Sequence, residues 1–144
     1  MTEFITNSEE ETLLAAEKLA RELRAGDIIL YEGEMGAGKT AFTKGIARYL
    51  EVDDEVTSPT FALVHEYDGK IPLFHFDLYR INSYDDLYAI GFFDYLDRGG
   101  IIAAEWSENI EGLENELGGA IKVRIDKLSD NSRRITVRGK QFGE

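Results

Sequence analysis

The chain has 144 residues, enough for one domain with its own core, and carries a formal net charge of −12. It has no cysteine, which excludes disulfides, thiolate metal sites and a catalytic thiol, and its only histidines, His65 and His75, give no basis for a histidine metal centre. The first residues lack a signal-peptide pattern and no apolar run approaches the roughly 20 residues of a membrane span, so a cytoplasmic protein is expected.

The acidic balance argues against unaided binding to DNA or RNA, where basic surfaces supply most of the affinity. It suits a solubilising surface or docking onto a basic partner.

In chain order, Phe4-Ile5-Thr6 reads as a short first strand. Ser8, with Glu11 three residues on, forms a capping box that opens a helix. Its apolar stripe is Leu13, Ala16, Leu19, Ala20 and Leu23, and Gly26 ends it. Asp27 to Tyr31 is an apolar run of strand length. Gly33 to Thr40 reads Gly-Glu-Met-Gly-Ala-Gly-Lys-Thr, two glycines five apart followed by Lys and Thr. This is the phosphate-binding loop pattern, and it requires a buried strand before it and a helix after it. The run 27–31 supplies the strand. Ala41 to Leu50 supplies the helix, with Phe42, Ile46 and Tyr49 or Leu50 on one face.

A glycine-rich turn opening a helix exposes consecutive backbone N–H groups to an anion. Gly36, Ala37, Gly38, Lys39, Thr40 and Ala41 are therefore candidate nucleotide contacts, with Lys39 reaching the β- and γ-phosphates and the Thr40 hydroxyl holding Mg²⁺. Ala41 stands where many such loops carry a second hydroxyl, leaving only its backbone N–H for the α-phosphate.

Residues 51–60 read as a loop, since Pro59 disfavours helix at Ser58. Residues 61–67 and 72–78 read as two strands around Asp68-Gly69-Lys70, a hairpin. Ser83, with Asp86, caps a helix to Ile90 that Gly91 closes. Ile101 to Ala104 is a buried-looking strand with Glu105-Trp106 at its end, and 107–117 is read as helix, weakened by Gly112. Residues 121–125 and 134–138 alternate strictly around Asp130-Asn131, a second hairpin. The expected fold is a single α/β domain over residues 1–144, P-loop NTPase-like, with a mixed sheet and helices on both faces.

Phosphoryl transfer needs a carboxylate near Mg²⁺ and a group that orients the attacking oxygen. Glu105, at the carboxyl end of an apolar strand, lies on the ligand side of an open sheet and is the leading candidate. Asp77 ends the preceding strand. On spacing alone it is either a surface acid or a metal-site residue, acting directly, through water, or through Thr40. Arg80 can pair with phosphate or with Asp77, although a surface arginine is the simpler reading. Thr60 either senses the γ-phosphate from a switch-like loop or makes an ST-turn. Trp106 packs in the core on the simpler reading, and otherwise stacks on a base or forms a docking surface. His75, between two phenylalanines, is read as a packed strand histidine rather than a ligand.

Taken together, Gly33 to Thr40, Ser58-Pro59-Thr60-Phe61, His75-Phe76-Asp77-Leu78-Tyr79-Arg80 and Glu105-Trp106 resemble the TsaE (YjeE) family over nearly the whole chain. Ser107 departs from the proline or glycine expected after Glu-Trp. The resemblance implies a weak Mg²⁺-dependent ATPase that supports threonylcarbamoyladenosine formation in tRNA by acting on TsaD-like and TsaB-like partners, meeting tRNA only through that complex. It also implies that Lys39 and Thr40 bind phosphate and Mg²⁺, that Asp77 and Glu105 serve metal and water, that Thr60 lies in a switch loop and that Trp106 lies near the nucleotide. The alternatives are a small-molecule kinase, disfavoured by the lack of an arginine-rich lid, and an ATP-gated binding module. No Asn/Thr-Lys-x-Asp segment suggests a GTPase.

Overall fold

Seven strands form one mixed sheet in the order β1-β7-β6-β2-β5-β4-β3, in a computed structural model that describes residues 1–34, 36–57 and 63–142. The strands are β1 Thr2–Thr6, β2 Ile28–Glu32, β3 Val64–Tyr67, β4 Leu73–Asp77, β5 Ile101–Glu105, β6 Ile121–Lys127 and β7 Arg133–Arg138. The four central strands β6, β2, β5 and β4 run parallel, and β1, β7 and β3 join antiparallel at the edges. This is the expected α/β architecture. The sequence shows why the strands divide in this way. β4 is buried at every position and β5 at all but its last, because helices cover both faces there, whereas β6 and β7 alternate buried and exposed side chains.

Helices α1 Glu9–Ala20 and α2 Lys39–Tyr49 cover one face. Ala16, Leu19, Phe42 and Ile46 pack there against Ile29, Tyr31, Ala103 and Val123. Gly45 sets how closely the two helices approach, since a Cβ there would come within 2.5 Å of both the Leu13 carbonyl oxygen and the Ala16 Cβ. Short helices α3 Tyr84–Ala89, α4 Phe92–Tyr95 and α5 Leu113–Glu116 cover the other face. Leu87, Phe92 and Leu113 bury themselves there against Leu30, Phe74, Phe76 and Ile102. Among the described residues no helix is long and apolar enough to cross a membrane.

Several expectations need correction. The helix read over 107–117 is two pieces, a 3₁₀ turn Ser107–Asn109 and α5, because Gly112 takes φ +82° and restarts the chain. Helix α4 was not foreseen. It is one turn long, begins at left-handed Gly91 and is held by burial of Phe92 rather than by a side-chain cap. On α1 the buried face includes Thr12 and Ala15, while Leu13 is only half-buried. The capping box is one residue wider than read. Ser8 Oγ accepts from the Glu11 N–H at 3.1 Å, and Glu11 Oε1 accepts from the Asn7 N–H at 2.9 Å. Ser58, Pro59, Thr60 and the Phe61-Ala62 start of the expected strand lie outside the described residues.

Candidate nucleotide site

The carboxyl ends of β2, β4 and β5 point toward the start of α2. In register, Asp77 lies beside Glu105, and Glu105 beside Tyr31. Strand alternation puts Tyr31, His75, Asp77 and Glu105 on the same face, the one that α1 and α2 cover. That placement follows from sequence parity once the strands are aligned.

The loop between β2 and α2 is shaped by its glycines. Gly33 takes φ +133° and lies against the Ile125 carbonyl of β6, where a Cβ would collide with that oxygen. Gly38 is the N-cap of α2 at φ +116°, and no side chain caps the helix. The first turn carries no acid, and Lys39 stands there instead. A cation at a positive helix end opposes local stability, a departure expected where an anion is to bind.

Lys39 is only 5% exposed, and its Nζ lies 4.6 Å from the centroid of the Trp106 ring. Among the described residues no carboxylate lies within ion-pair distance of it. A buried ammonium facing an aromatic ring and a cleft is suited to receive an anion. The cleft holds about 330 Å³ and is lined by Gly36, Gly38, Lys39, Thr40, Asp77, Arg80, Glu105 and Trp106, together with Leu63 and Tyr79. Sequence-expected residues from three separate segments therefore meet in one place.

The acids are held from behind. Asp77 is buried and accepts the Tyr79 N–H at 2.9 Å on Oδ1. Glu105 Oε2 lies 2.6 Å from His75 Nε2, with the histidine fully buried and the glutamate side chain 13% exposed. A carboxylate only accepts, so the imidazole donates from Nε2. His75 Nδ1 has no hydrogen-bond partner among the described residues. Under the loop, Thr43 Oγ1 donates to the Lys39 carbonyl at 2.8 Å, so Tyr31 must donate its hydroxyl hydrogen to Thr43 at 2.7 Å. Burial pushes the Tyr31 phenol well up, Thr43 partly offsetting it and Glu105 adding to it, so Tyr31 remains a donor.

Other residues fall differently. Arg80 is exposed at the cleft rim and makes no ion pair with Asp77 among the described residues. Trp106 is half-buried at φ +65°, with its ring edge-on to Tyr79 at 5.2 Å, and it both lines the cleft and packs against the edge of the core. Ala37 is buried, and Ala41 borders a separate depression with Ser8, Thr12 and Asn131. Neither lines the cleft. Thr60 lies outside the described residues. The supporting roles of His75, Tyr31 and Thr43 were not read from sequence. Only the i, i+2 spacing of His75 and Asp77 on one strand hinted at the first.

Two carboxylates and a threonine hydroxyl beside a lysine suit Mg²⁺, which takes one or two protein carboxylates and completes its shell with substrate phosphate and water. Among the described residues no group of three His, Cys, Asp or Glu converges.

A parallel-centred sheet with a glycine loop leading into a helix is a P-loop-type α/β domain. Among solved structures it is similar to a Bacillus subtilis protein, YdiB, with a TM-score of 0.78 and 32% identity over 99% of this chain and 86% of that one. Residues 6–135 match the family described as threonylcarbamoyl adenosine biosynthesis protein TsaE. Proteins described as tRNA threonylcarbamoyladenosine biosynthesis protein TsaE are similar over most of their length. That from Treponema pallidum is 35% identical across 92% of this chain and 97% of its own, and that from Aquifex aeolicus 37% across 95% and 96%. The Bacillus subtilis relative is 38% identical across 91% of this chain and 81% of its own. The chain belongs to the TsaE family.

Proposed function

We propose that this chain is a Mg²⁺-dependent ATPase that supports threonylcarbamoyladenosine modification of tRNA by acting in the cytoplasm on a complex of TsaD-like and TsaB-like proteins. The observation that carries the nucleotide reading is Lys39, a nearly buried cation at an uncapped helix N-terminus, facing a cleft with Asp77 and Glu105 opposite. Lys39 and the N–H groups of the glycine loop bind the anionic tail of the nucleotide. Thr40, Asp77 and Glu105 supply the oxygens suited to Mg²⁺, which when bound neutralises charge on the phosphates. Glu105, fixed by His75, orients the attacking water. Trp106 closes the cleft beside Lys39. Membership of a family named for this tRNA modification supports the biological setting.

The test is ATP titration and single-turnover phosphate release with Mg²⁺, alone and with a purified TsaB–TsaD pair. Lys39→Ala is expected to keep its circular dichroism spectrum and lose ATP affinity by about a hundredfold, the range for removing a charged contact from a desolvated site. Unchanged affinity in a folded variant would refute the site. Phosphorylation of an added small-molecule acceptor would point to a kinase instead.

A further inference from the structure

The loop's anion-binding geometry is held by a residue far outside the motif. Arg133, the first residue of β7, donates from Nε to the carbonyl oxygen of Ala37 at 2.7 Å, a partly buried bond across 96 residues of sequence. Its Nη1 donates to the Ser129 carbonyl at 2.8 Å and to the Ser132 carbonyl at 3.0 Å, in the turn between β6 and β7. One guanidinium thus pins the phosphate loop to the C-terminal hairpin.

The peptide between Ala37 and Gly38 is trans, as are all described peptides, and resonance keeps such a unit close to planar. In such a unit the C=O and the following N–H point in opposite directions. Drawing the Ala37 oxygen toward Arg133 therefore turns the Gly38 N–H away from the hairpin. Gly38 lines the cleft, whereas Ala37 is buried beneath it. Glycine at φ +116° is itself free to rotate, so nothing intrinsic to residue 38 holds this orientation. A rigid guanidinium fork that spans the Ala37 carbonyl and the Ser129, Asp130 and Ser132 carbonyls of the turn does hold it.

We propose that Arg133 is a positioning residue for nucleotide binding, acting through the Ala37–Gly38 peptide to keep the Gly38 N–H aimed at the anionic tail of the bound nucleotide. This rests on the ATP reading above. Removing Arg133 leaves Lys39 and the acids in place but lets the peptide rotate, so the loss falls on nucleotide affinity rather than on the chemical step.

The experiment measures Mg²⁺–ATP affinity by calorimetry, kcat and KM with the partner pair, and the thermal midpoint, for the wild-type chain, Lys39→Ala, Arg133→Met, Arg133→Lys and Ser132→Ala. Ser132→Ala loosens the same turn through its bond to Asn7 without touching the loop. Arg133→Met is expected to raise Kd and KM about tenfold with kcat at saturating ATP within about twofold. Arg133→Lys recovers part of the affinity, and Ser132→Ala keeps wild-type Kd. If Arg133→Met does not fold, Arg133→Lys decides, with Kd raised a few-fold expected. Wild-type affinity in a folded Arg133 variant, or an equal loss in Ser132→Ala, overturns the inference while Lys39→Ala still reports on the site. If the wild-type chain binds no ATP, or Lys39→Ala binds it as well as wild type, the ATP reading itself falls and this inference with it.

Discussion

Glu105 combines low exposure with a short bond to a fully buried imidazole, so its carboxylate has little freedom to choose another orientation. On the ATPase reading proposed above, Glu105→Gln preserves shape but trades one carboxylate oxygen for an NH₂ donor, so phosphate release is expected to fall about a hundredfold while ATP affinity stays within about twofold. His75→Leu keeps similar bulk but frees the carboxylate. Loss of such an orienting partner typically costs about ten- to a hundredfold in activity. His75→Gln retains a donor and is expected to recover part of the rate. Single-turnover assays alongside melting curves check this, and a normal rate in the Leu variant would show that Glu105 finds its place unaided.

At the scale of elements, the packing of α1 on α2 depends on Gly45. Alanine there improves intrinsic helix propensity by about 1 kcal/mol. The steric term opposes it, because the new methyl meets both a backbone oxygen and a side chain at 2.5 Å. Overpacking of this kind costs about 1–3 kcal/mol, and part of it involves a carbonyl that cannot rotate away. The net expectation for Gly45→Ala is a destabilisation of about 0–2 kcal/mol, read from denaturant midpoints. A more stable variant would mean that the helices separate freely.

Which elements could be read from sequence follows from the same physics. Ser8, the glycine loop and the alternating hairpin of β6 and β7 announce themselves through local chemistry, and the bounds of that hairpin fall close to those expected. The four-residue helices at 92 and 113 do not, because each begins at a left-handed glycine and is stabilised by one buried side chain, Phe92 or Leu113. Lys39, Thr40, Asp77, Arg80, Glu105 and Trp106 were legible because the phosphate-loop pattern and the acids at strand ends restrict residue type, whereas Leu63 and Tyr79 of the same cleft were not. Arg133 was not, since a hairpin arginine looks like any solvated charge until the sheet order brings β7 near the loop.

At the scale of the whole molecule, acids outnumber cations, and most ion pairs lie on the surface. Such pairs contribute little each. Glu66 is a measurable case. The Arg98 guanidinium, and then the Tyr95 hydroxyl, hold its carboxyl below its ordinary value of 4.5. A carboxylate whose pKa is lower folded than unfolded adds stability above its unfolded value, and that stability fades as pH falls through the folded one. Glu66→Gln should therefore melt slightly below wild type at neutral pH, with the gap closing in strong acid. A gap that persists there would show that the bond to Tyr95 does not depend on charge.

The chain contains a single tryptophan, and it is the ring on which the Lys39 ammonium rests. Intrinsic indole emission from this protein therefore arises at one address. A polyanion bound as proposed would compete for that ammonium and alter the polarity around the fluorophore, so cleft occupancy would be followed optically, without a label, in the unmodified chain.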